Sequence, residues 1–128
     1  MVELTAVELD AAKATYKAAM EQLMAHQAAV EAREKEALVG RYFKHIEQSR
    51  TDPDQTWAVY MVLTAVVEGH LSGWYFQRTP SGAFGVAADT DVQPGFVAER
   101  CVEIERGVFV AAFNELLTGI ARFAPHMP

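Results

Sequence analysis

A chain of 128 residues that is 51% hydrophobic and 22% charged is ordinary globular material, long enough for one domain with a modest core, which excludes a disordered polymer. Its formal net charge of −6 argues against a general nucleic-acid binder, which needs clustered lysine and arginine to displace counterions from phosphates, and it is too mild for a DNA mimic. Cys101 is the only cysteine, so an internal disulfide framework is excluded and a reducing compartment fits.

The opening stretch, Met1 to Asp10, carries three acids and no basic segment of the signal-peptide kind, and no apolar run approaches the roughly eighteen residues of a membrane span. The expectation is a cytoplasmic protein with no membrane contact. Val2, Leu9, Tyr16, Leu23, Val30 and Ala37 fall seven residues apart before the first glycine, Gly40. Residues 1–37 therefore read as one long helix with a single apolar seam. Thr5 and Glu8 have capping-box spacing, eleven alanines between residues 6 and 37 raise helix propensity, and Glu31 with Lys35 is a favourable i,i+4 pair. Ala12 and Ala19 at the second seam position suit close packing, whereas His26 and Arg33 loosen it. Two readings stay open: an intermolecular coiled-coil pair with Leu9, Tyr16, Leu23 and Val30 at the interface, or a helix laid on its own sheet.

Residues 38–124 read as a separate α+β domain. Leu38 to Ile46 is dense in aromatic and β-branched residues and reads as a strand, followed by a polar loop over Glu47 to Gln55. Thr56 to Val67 is apolar on both alternating faces, Trp57, Val59, Met61 and Leu63 on one and Ala58, Tyr60, Val62 and Val66 on the other, so this strand is covered on both sides. Glu68-Gly69-His70 is a tight reversal, Ser72 to Thr79 a third strand, Pro80-Ser81-Gly82 a hairpin connection and Ala83 to Asp89 a fourth strand. Pro94-Gly95 breaks the chain, and Ala98 to Ile104 alternates as a fifth, edge strand. Phe109, Ala112, Phe113, Leu116, Leu117 and Ile120 mark an amphipathic helix over about Arg106 to Phe123, and Ala124 to Pro128 reads as a frayed end. The expected fold is a long N-terminal helix, a four- or five-stranded antiparallel curled sheet resembling an SH3-like half barrel, and a C-terminal helix.

The run Gly40-Arg41-Tyr42-Phe43-Lys44, then Gly73-Trp74-Tyr75-Phe76-Gln77, then Glu103-Ile104 leading into Phe109 and Ala112-Phe113 resembles a family of short uncharacterised proteins encoded by bacteriophages and prophages. In that family a G-K-Y-F opening, a G-x-x-F-Q strand and an E-I-S-x-x-E-F entry into the last helix recur in this order. The likeness covers roughly Leu38 to Leu117, and Glu105 and Gly107 depart from the usual serine and acid. It implies a phage-borne accessory protein in the host cytoplasm, with no activity or catalytic residue to carry over.

Candidate chemistry is sparse. His45 and His70 share the chain with Asp89, Asp91 and Glu99 but match no metal-ligand spacing, so no metal or other cofactor is expected. Cys101, alternating with Glu99 and Glu103, is expected to have a raised thiol pKa, which opposes nucleophilic use. Gly69, Gly73, Gly82 and Gly85 lack the strand-to-helix setting of a phosphate loop. Seven of the eleven basic residues follow the first helix, leaving room for a local basic patch. Aromatics crowd the strands, and Arg41, Lys44, Trp74, Tyr75 and Arg78 are the candidate ligand- or partner-binding set, since an exposed ring beside a guanidinium stacks a base or anchors a protein contact.

The leading expectation is a non-enzymatic homodimeric interaction module that binds a host or phage macromolecule and blocks or redirects it, with inhibition of host defence one outcome left open. The alternatives are a nucleotide-sequestering protein with Arg41, Trp74, Tyr75 and Arg78 as its pocket, a virion assembly component, and an enzyme acting through His45 or His70 with a carboxylate.

Overall fold

The computed structural model describes residues 3–123, so Val2 and the expected frayed end at 124–128 lie outside the described residues. In chain order the elements are α1 (Ala6–Leu38), β1 (Tyr42–Gln48), β2 (Thr56–Val67), β3 (His70–Arg78), β4 (Phe84–Asp89), α2 (Pro94–Arg100), β5 (Val102–Ile104) and α3 (Arg106–Phe123). This is the expected α+β class. The chain divides into two compact units, Met1–Glu34 and Lys35–Pro128.

The first unit holds most of α1. Its start is held as the spacing of Thr5 and Glu8 requires: the Glu8 amide donates to Thr5 Oγ1 at 3.2 Å, satisfying one of the donors a helix N-terminus leaves open. No residue of α1 is buried.

In the second unit, the last turn of α1 gives way to β1 through Gly40, whose φ of +84° is a left-handed conformation that costs a glycine little. The segment from Leu38 to Gly40 therefore ends a helix rather than opening a strand, because Gly40 donates from its amide to the Leu63 carbonyl at 2.7 Å and closes the turn against β2. Lys35, expected to pair with Glu31, instead donates from Nζ to the Gly69 carbonyl at 2.8 Å.

Five antiparallel strands in the order β4-β3-β2-β1-β5 form one open, curled sheet. Glu68 and Gly69, both at positive φ (52° and 80°), make the two-residue β2–β3 turn whose twist matches that of the strands. The register shifts between Leu63 and Ala65, so Thr64 bulges out. Beyond that bulge the alternation changes phase: Val66 packs with Leu63 and Leu71, not with Val62 as strict alternation requires. Gly73, opposite Leu63, is a close approach, since a Cβ there would stand 2.3 Å from the Val62 carbonyl oxygen.

Two cores lie on the two faces. On one, Val62 and Phe76 meet Phe109 and Leu116 of α3, with Tyr42, Tyr60, Trp74 and Phe113 around them. Each such buried side chain contributes about 1.5–3 kcal/mol. On the other, Phe43, Met61, Leu63 and Leu71 meet Val92 and Val97. Val97 belongs to α2, which takes the place of the first part, Ala98 to Arg100, of the fifth strand expected over Ala98 to Ile104. Pro94 sits in the first turn of this short helix, where its missing N–H costs nothing, and burial of Val97 fixes it. Only Val102–Ile104 remains extended, paired with Tyr42–Lys44.

Candidate functional site

Strand register builds a cleft on the sheet face that carries α2. Side chains two apart along a strand share a face, and cross-strand partners do too. Glu47 therefore stands beside Trp57, His45 beside Val59, Val59 beside Gln77, and Met61 beside Tyr75. Asp89 joins them from the end of β4 and Phe96 from α2, enclosing a volume of about 390 Å³. Val59 and Met61, both buried, form its floor. Four rings line it: Trp57, Tyr75, Phe96 and the His45 imidazole.

Hydrogen bonds hold these walls in place. Trp57 Nε1 donates to Gln77 Oε1 at 2.9 Å across the β2–β3 pair. His45 Nε2 lies 2.9 Å from Glu47 Oε1 and, since a carboxylate only accepts, donates to it. In the neutral ring Nδ1 is then an acceptor, and the Cys101 thiol lies 3.9 Å from it. Phe96 stands edge-on to His45, ring centroids 5.1 Å apart. The chain Cys101–His45–Glu47 has the order of a thiol, a base and an orienting carboxylate. Its chemistry runs the other way, because burial pushes the Cys101 thiol above its ordinary range and so disfavours the thiolate a nucleophile needs. The direction is as expected but the cause is burial rather than the neighbouring Glu99 and Glu103: Glu99 lies in α2, which Cys101 caps, and Glu103 is paired with Arg41.

The residues singled out from sequence are not gathered into one pocket. Trp74 and Tyr75 point to opposite faces. Trp74 packs edge-on against Phe109 and Phe113, centroids 5.4 and 5.6 Å away. Lys44 Nζ stands 5.7 Å from the Tyr60 ring and the Arg78 guanidinium 5.0 Å from the Phe84 ring, both on the α3 face. Arg41 is committed elsewhere, donating from Nε to Glu103 Oε2 and from Nη2 to Glu103 Oε1, each at 2.7 Å. That bidentate pair holds the Glu103 carboxyl below the usual carboxylate range and raises Arg41 further. The pocket expected from Arg41, Trp74, Tyr75 and Arg78 is therefore not formed, and of the five candidate binding residues only Tyr75 lines the cleft. His70 pairs with Asp91 at 3.1 Å on the surface, well separated in the sheet from His45.

Sequence reasoning passed over Trp57, Gln77, Glu47 and Phe96 as binding residues. Carrying period-two alternation across all the strands at once would have placed Glu47, Trp57, Tyr75 and Gln77 on one face; Phe96 lay hidden in a segment read as a chain break. The seam residues of α1 are accessible in the single chain, Leu9 exposed by 44%, Tyr16 by 68% and Leu23 by 48%, with Val30 half-buried. Among the described residues no group of three or more His, Cys, Asp and Glu is placed to hold a metal ion, and no helix is long and apolar enough to cross a membrane. Comparison with family models, with curated proteins and with solved structures gives no match.

Proposed function

We propose that this protein is a non-enzymatic accessory protein of the phage type, a homodimeric interaction module whose α1 pairs with α1 of a second copy and whose sheet domain engages a host or phage macromolecule. The observation that carries this reading is the 33-residue helix with no buried residue and an apolar position every seventh residue. A helix pair takes two seam positions per heptad; Leu9, Tyr16, Leu23 and Val30 fill the first and Ala12 and Ala19 the start of the second, and the hydrophobic side chains among them gain by leaving water.

The charges beside the seam favour a parallel, in-register pair. With Leu9, Tyr16, Leu23 and Val30 at the first seam position, Glu8 of one chain falls opposite Lys13 of the other, the flanking arrangement that selects orientation in parallel dimers. Ala12 and Ala19 allow the two backbones to approach.

Light scattering on the full chain is the test. Twice the 14.1 kDa chain mass is expected at micromolar concentration, and the Leu9→Lys, Leu23→Lys double variant should run as a monomer with its sheet domain intact. Glu8→Lys should weaken the pair and Glu8→Lys with Lys13→Glu restore it. A wild-type monomer at every concentration, or a double variant that still dimerises, would remove the basis of the proposal.

A further inference from the structure

We infer that the cleft lined by Glu47, Trp57, Tyr75 and Asp89 binds a linear aliphatic diamine or polyamine, an organic cation with positive charge at both ends and a methylene chain between them. Aromatic faces attract cations through their quadrupole, and this cleft presents the rings of Trp57, Tyr75 and Phe96. No lysine or arginine lines it. Its two carboxylates belong to the first and fourth strands, Glu47 on β1 and Asp89 on β4, and among the described residues neither is paired with a lysine or arginine.

Shape selects among cations. The carboxylates stand three strand spacings apart, about 4.8 Å each in a flat sheet, and are offset along the strands as well, since Asp89 lies level with Gly73 and Leu63 and Glu47 level with Trp57; that is farther than one ammonium or guanidinium group bridges. Between them the floor is Val59 and Met61, apolar and buried, suited to a hydrocarbon chain rather than to a polar backbone. Glu47 uses Oε1 for His45, and Asp89 uses Oδ1 to accept from the Asp91 amide. Each is thereby held in place with its second oxygen open to a cation. The volume, about 390 Å³, lies within the range of small-ligand sites of about 300–1,000 Å³. The chain's net charge of −6 adds a long-range attraction of the same sign.

The experiment follows the indole N–H resonances of the full-length protein while spermidine, an eight-carbon diamine, the matching monoamine and the matching diol are added at constant ionic strength. Trp57→Phe identifies the resonance to watch. Spermidine and the diamine should shift the Trp57 signal saturably and raise the melting temperature. The monoamine should bind about tenfold more weakly and the diol not at all; Glu47→Gln and Asp89→Asn should each weaken diamine binding about tenfold. Lys44→Ala, on the opposite face, should leave it unchanged. Binding in the Leu9→Lys, Leu23→Lys variant keeps this result separate from helix pairing. The inference falls if the diol binds as well as the diamine, if no probe moves Trp57, or if an arginine-rich peptide moves it and the diamines do not.

Discussion

Where α3 sets Phe109, Ala112, Phe113, Leu116 and Ile120 on one broad stripe and packs it on the sheet, α1 repeats Leu9, Tyr16 and Leu23 singly at seven-residue intervals and buries none of its residues. α3 concentrates its apolar residues on one side, whereas those of α1 are spread around the helix, with Val7, Met20 and Met24 exposed beside the seven-residue series. A stripe spanning 100° or more of the helix surface can seat on a broad sheet, where neighbouring strands supply Val62, Trp74 and Phe76 as contacts. α1 has no such stripe: Leu9, Tyr16 and Leu23 stand singly, and none of its residues is buried.

Truncating one residue in each helix separates the two cases most widely. Phe109→Ala should cost about 3–5 kcal/mol of unfolding free energy in urea, the loss of a buried ring plus the cavity it leaves. Leu23→Ala, in protein diluted until it is monomeric, should change the unfolding of the sheet domain by no more than about 0.5 kcal/mol, as expected of an exposed site. Equal losses would mean that α1 draws stability from burial as α3 does. A smaller effect sharpens the contrast at the helix start. Thr5→Ala removes the bond to the Glu8 amide and should cost about 1 kcal/mol, seen as lost helical circular dichroism with no change in the sheet domain's midpoint.

The elements legible in the sequence were those whose pattern is long and unbroken. β2 and α3 run over the residues their patterns predict, because a twelve-residue segment apolar on both faces and an eighteen-residue amphipathic pattern are long enough to leave little competition. Short elements went astray. Ala98 to Ile104 alternates well enough for a strand, yet burying Val97 and placing Pro94 in a first helical turn favour a helix up to Arg100. Val66 went to the wrong face because the bulge at Thr64 arises from pairing with β3, which no local pattern encodes. The cleft was the least legible feature. It exists only when the register of four strands brings Glu47, Trp57, Gln77 and Asp89 to one face and α2 adds Phe96, so its residues are scattered over fifty positions and share no motif.

The smallest effect concerns charge pairs, one in each region. Lys17 and Glu21 on α1 stand 3.9 Å apart with both side chains largely exposed, a separation at which a surface pair adds little. Arg41 and Glu103 meet through two bonds of 2.7 Å and join the start of β1 to β5. Because Arg41 lowers the Glu103 carboxyl from its ordinary 4.5, the pair stabilises the folded state above that value, and the stabilisation is lost as pH falls through the lowered folded-state pKa. Glu103→Gln should therefore lower the melting temperature slightly at pH 7, and the two proteins should converge in acid as the wild-type carboxylate takes up its proton. A gap that stays constant down to acid would mean that the pair acts through shape rather than charge, and that β5 is held to β1 by its backbone ladder alone.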